Sequence, residues 1–91
     1  GNDGLVRIWK FDGENIHFIK ELGETGAGEG AYEVWEDYLF YAKNNYLVVY
    51  HFESGKKIAE INVGSEIKAL KVDEDGKVYL YKQIGNMAIK Q

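Results

Sequence analysis

The sequence predicts an all-β chain in which short antiparallel strands form sheets stacked face to face. Three observations predict it: dense runs of strand-forming residues, turn signals every few positions with no helical period, and strands that are apolar on both sides. Seven Tyr, four Phe and two Trp stand among many Val and Ile, residue types that suit a pleated, packed surface. Proline is absent, so eleven glycines do the turning.

Each element can be justified in order. Leu5 to Phe11 is a strand, Asp12-Gly13-Glu14-Asn15 a turn, and Ile16 to Leu22 the strand that completes a hairpin. A glycine-rich loop, Gly23 to Gly30, leads to Tyr32-Glu33-Val34-Trp35. A tight turn at Glu36-Asp37 opens Tyr38 to Ala42, and Lys43-Asn44-Asn45 turns the chain again, since Asn tolerates positive φ. Tyr46 to Phe52 is a strongly apolar strand, Ser54-Gly55 a turn, and Lys57 to Val63 a further strand. Gly64-Ser65 leads to Ile67 to Val72, the turn Asp73-Glu74-Asp75-Gly76, Lys77 to Tyr81, and Met87 to Lys90 after Gly85-Asn86. About nine strands result.

These strands recur. Trp9 falls on Tyr50 and Phe11 on Phe52, an offset of 41 in each case. Ile16 falls on Ile58 and Ile19 on Ile61 at 42, and Leu39-Phe40-Tyr41-Ala42-Lys43 falls on Val78-Tyr79-Leu80-Tyr81-Lys82 at 39. Four-stranded propeller blades repeat at about 40–45 residues. Tyr46-Leu47-Val48-Val49-Tyr50 and Tyr38-Leu39-Phe40-Tyr41 are apolar on both faces, where a half-solvated sheet would alternate. Blades covered by neighbours on each side meet that requirement better than a two-sheet sandwich. The expected architecture is therefore a set of antiparallel four-stranded blades from a β-propeller. Residues 1–22 are expected to be the inner half of one blade, 31–63 a complete blade and 66–91 part of another. The start at Gly1, close to the turn-like Asn2-Asp3-Gly4, reads as a segment of something longer.

Composition narrows the function classes. A net charge of −4 with scattered Lys and Arg argues against nucleic acid and anionic membranes, whose binding needs clustered cations. No apolar run approaches the roughly 18 residues of a spanning helix. Cysteine is absent, which removes disulfides and thiolate chemistry. The compartment stays open, with the cytoplasm as the expectation.

Asn2-Asp3-Gly4-Leu5-Val6-Arg7-Ile8-Trp9 resembles the stretch before the terminal Trp-Asp of a WD40 repeat. Asp73-Glu74-Asp75-Gly76-Lys77-Val78-Tyr79-Leu80 is similar to the first hairpin of such a blade, and Glu53-Ser54-Gly55-Lys56-Lys57-Ile58 looks like an outer turn of quinoprotein-like blades. The chain departs from both patterns. The Gly-His dipeptide is missing, Lys10 stands where the Asp of Trp-Asp would be, and Ala59 stands where a quinoprotein docking Trp would be. The resemblance implies a divergent WD40-like blade set.

Candidate chemistry yields to local readings. Asp73-Glu74-Asp75-Gly76 invites calcium, but Ile84 and Gly85 occupy the region where a distal bidentate Glu would be needed, so a hairpin turn is expected. Gly23, Gly26, Gly28 and Gly30 lack the Lys-Ser/Thr and helix of a phosphate loop, and Glu21, Glu24 and Glu29 would repel phosphate. His17 and His51 lack partners at metal spacing, and Ser54 and Ser65 sit in turns without a nucleophile elbow. Trp9 reads as core filler, while Trp35 beside Glu36-Asp37 leaves a surface role open. No catalytic, cofactor-binding or metal residue is assigned, and no cofactor is expected. The expected function is a non-catalytic protein-interaction scaffold with protein partners, whose loops at Gly23 to Gly30 and Lys43 to Asn45 would be tested first. The alternative is a segment of a propeller enzyme, quinoprotein-like or hydrolytic, with its active residues elsewhere. Exposed sheet edges and blade faces make self-association of this segment an expectation.

Overall fold

In a computed structural model, residues 5–23 and 31–81 are described. They form eight strands: β1 (Leu5–Phe11), β2 (Ile16–Gly23), β3 (Tyr32–Trp35), β4 (Tyr38–Lys43), β5 (Tyr46–His51), β6 (Lys57–Asn62), β7 (Ala69–Val72) and β8 (Lys77–Tyr81). All pairings are antiparallel, and neither a helix nor a closed barrel occurs among the described residues. Met87 to Lys90, the loop from Glu24 to Gly30 and Asn2-Asp3-Gly4 lie outside them.

Two four-stranded sheets result. The first has the order β2-β1-β8-β7 and the second β3-β4-β5-β6. The described parts of residues 1–22 and 66–91 share one sheet, because β1 pairs with β8 from Val6↔Tyr81 to Lys10↔Lys77. Read from β7, the first sheet runs β7-β8-β1-β2, so β1 and β5 both take third place and β8 and β4 both take second. The offsets of 41 and 39 are therefore positions in one repeated four-strand unit. Even its irregularity repeats: the ladder slips between Ile8 and Trp9 in β1 and between Val49 and Tyr50 in β5, 41 residues on. Trp9↔Phe18 matches Tyr50↔Lys57, and Ile8↔Lys20 matches Val49↔Ala59. That register puts Ile19, not Ile16, in the place of Ile58, because the β1–β2 turn is built differently from the β5–β6 turn.

The sheets pack face to face, since each carries an apolar row on the facing side. Phe40, Leu47 and Val49 from the second sheet meet Trp9, Phe11, Leu70, Val78 and Leu80 from the first. Phe11 and Phe40 are fully buried and meet edge to face at 5.6 Å; Tyr38 adds a second edge contact to Phe11 at 4.9 Å. Burying one such ring contributes about 1.5–3 kcal/mol, and each aromatic pair about 0.5–1.5 kcal/mol more. The layers approach one another where β3 faces β7 and again where β6 faces β2.

Polar groups fix the alignment of the two layers. Glu33 faces inward beside Phe40, and its Oε1 accepts the Val72 N–H, an edge amide of β7, at 2.8 Å. At another point Arg7 donates from Nη1 to the Val63 carbonyl at 2.9 Å. Gly76 takes φ of +83° in the β7–β8 turn, and a Cβ there would lie 2.8 Å from the Trp35 ring. Trp35 donates from Nε1 to the Glu74 carbonyl, so this turn is clasped by the second sheet.

Candidate docking surface

Alternation along the strands decides what the second sheet presents outward. Side chains opposite one another across an antiparallel pair share a face. Phe40, Val49 and Ala59 form one inward row, so Tyr41, Val48 and Glu60 form an outward one, with Leu39 and Tyr50 beside them. β3 adds Tyr32 opposite Tyr41 and Val34 opposite Leu39. Around a buried Val48 this outer face exposes aromatic and aliphatic side chains: Tyr32 is 64% exposed, Val34 45%, Tyr41 36% and Tyr46 37%. The equivalent far face of the first sheet differs. Val6, Ala69 and Tyr81 cluster there, buried, with Tyr79 packed against them.

One end of the open face is built from two turns. Glu36 takes φ of +57° between β3 and β4, and the Phe52 N–H donates to the Asp37 carbonyl at 2.7 Å. Gly55, at φ +77°, closes the β5–β6 turn by donating to the His51 carbonyl. Phe52 stands 59% exposed beside a hollow of about 220 Å³ lined by Glu36, Asp37, His51 and Glu53. An aromatic ring rimmed by carboxylates suits an apolar partner surface edged by cations.

His17 lies in the first sheet, where its Nε2 meets Asp12 Oδ2 at 2.9 Å; His51 lies in the second, with Nδ1 3.1 Å from the Ser54 hydroxyl. The structure does not bring the two histidines together, and no cluster of three or more His, Cys, Asp or Glu suited to a metal occurs among the described residues. Asp73-Glu74-Asp75-Gly76 is the β7–β8 turn. Asp73 Oδ1 accepts the Asp75 and Lys77 N–H groups, both at 2.9 Å, and Oδ2 accepts the Tyr79 hydroxyl. Partial burial pushes the Asp73 carboxyl up, but these donors outweigh it and hold it below the ordinary range. Tyr79 is raised by its own burial and by the Asp73 charge. Asp12 is held well below the carboxylate range by the Asn15 and Glu14 amides and by His17. Lys57 is raised by its contact with Glu60.

Lys43 to Asn45 serves the fold. Asn44 adopts φ of +57°, its carbonyl accepts the Ile67 N–H, and the Asn45 carbonyl accepts the Val63 N–H. Of the glycine-rich loop, Gly23 ends β2 and the remainder lies outside the described residues. Trp9 is buried in the core, and Trp35 is half-buried over Gly76. Sequence reasoning missed Glu33 and Phe52. The outer tyrosines left a signal, since their strands are apolar on both sides. An inward glutamate on a four-residue strand leaves none. No family model, no curated protein and no solved structure matches this chain.

Proposed function

We propose that the chain is a non-catalytic protein-interaction scaffold built from WD40-like propeller blades, with the outer face of the second sheet as its binding surface. The observation that carries the reading is the open row of Tyr32, Val34 and Tyr41, continued by Tyr46 and Phe52. Contiguous aromatic and aliphatic surface of this kind on a folded domain marks an interaction site. The blade assignment is supported by the repeated four-strand unit and by its repeated ladder slip.

A photo-cross-linker placed at Tyr41 in cells tests the reading, with Lys56 on the β5–β6 turn as the control position. Proteins captured from Tyr41 should be lost when Val34→Glu is added and should not be captured from Lys56. Equal capture from both positions, or capture insensitive to Val34→Glu, would reject the surface. Serine scans of Gly23 to Gly30 and Lys43 to Asn45 form a second arm that separates loop docking from face docking.

A further inference from the structure

The two sheets pack front to back. By the repeat, Trp9 corresponds to Tyr50, Val78 to Leu39 and Leu80 to Tyr41. The first of each pair presses on the other sheet, while the second lies on the open outer face. In the reverse sense, Val49, Phe40 and Leu47 press on the first sheet and correspond to Ile8, Tyr79 and Val6 on its far face. One kind of face covers the other kind, so the contact is heterologous and can be repeated. The repeat therefore specifies what fits the open face: the far face of a sheet assembled like the first.

The first sheet also shows how a second chain could supply it. β1 and β8 are joined by no turn, because the whole second sheet intervenes in sequence. Their seam sets Lys10 directly opposite Lys77. The same strands can pair between chains with the same register.

We infer that copies of this chain associate head to tail, β7–β8 of one copy pairing with β1–β2 of the next. Each composite sheet then lies across the open face of a neighbouring second sheet. This rests on the reading of that face as an interface, and it names a second copy as the occupant. Ile8, Val6 and Tyr81 are already withdrawn from water in one chain, so the gain comes from Tyr32, Val34 and Tyr41. The Glu33 contact is not reproduced: Lys71 occupies its place in the repeat, leaving apolar area to hold the new contact.

The chain has no cysteine, so Lys10→Cys with Lys77→Cys creates two unique thiols across the seam. A short thiol-reactive bifunctional reagent should join separate chains, and light scattering on the unaltered protein should give a mass of two or more copies. Val34→Glu with Tyr41→Glu should weaken association at least about tenfold, equivalent to about 1.4 kcal/mol, with an unchanged far-ultraviolet spectrum. A monomeric mass at all concentrations, or cross-links confined within one chain, overturns the inference. Association insensitive to the two glutamates overturns the assigned face. Capture of other proteins at Tyr41 by a strictly monomeric chain would sink the self-assembly and leave the scaffold reading standing.

Discussion

The second sheet comes from one unbroken stretch, Tyr32 to Asn62, whereas the first is assembled from two segments that flank it. The same unit is thus built in two ways. In the second sheet each neighbour is reached by a short turn, Asn44-Asn45 being two residues. In the first, β1 meets β8 only after the loop from Phe11 to Lys77 has closed, roughly five doublings longer and about 3 kcal/mol costlier in entropy. Equal strand chemistry therefore gives unequal local stability. The first sheet depends on the second as a template, through Phe11 on Phe40 and Val72 on Glu33.

The largest test of that dependence removes the shared ring contact. Phe11→Ala and Phe40→Ala should each cost about 3–5 kcal/mol, because both rings are fully buried. Their double mutant should fall short of the sum by about 0.5–1.5 kcal/mol, read from urea midpoints. Strict additivity would mean that the sheets are not coupled through this pair.

A turn from each sheet sharpens the comparison. Gly55 in the second sheet has positive φ with open space where a Cβ would lie, so Gly55→Ala should cost about 1 kcal/mol. Gly76 in the first combines positive φ with the Trp35 ring 2.8 Å away, and Gly76→Ala should cost about 2–4 kcal/mol. Equal losses in thermal unfolding would show that Trp35 yields freely.

Acid gives the smallest expected effect, and the described carboxylates with lowered pKa values both sit in first-sheet turns. Asp12 and Asp73 have folded pKa values below their unfolded ones. Their contribution is present above about pH 4 and is lost as pH falls toward the folded values. Asp73→Asn should lower stability at neutral pH by about 1 kcal/mol and flatten the decline below pH 4. Asp12→Asn should flatten it less, its carboxylate being exposed. Urea midpoints measured across pH 2–7 check both, and an unaltered acid limb in each variant would refute the assignment.

Most strands were legible because each carries its own signal. Tyr46 to His51 announces itself by β-branched and aromatic residues, and the Asn44 turn by the left-handed backbone that Asn tolerates. Pairing between distant strands was not legible. Nothing local in Val6-Arg7-Ile8 says that Tyr79-Leu80-Tyr81 lies beside it, since the partner is set by the layer beneath. The docking face was half legible. Two-sided greasiness in Tyr38 to Tyr41 demands cover on both sides, but which side stays open depends on where the first sheet settles. Ile19 for Ile16 is the same lesson in miniature, because ladder register outranks residue identity.

Glu33 has a consequence for the fate of the chain in crowded solution. A β-sheet border with unsatisfied amides invites foreign strands to zip on, the first step toward fibrils. By occupying the Val72 amide, a single carboxylate denies that border one of its contact points and acts as a gatekeeper.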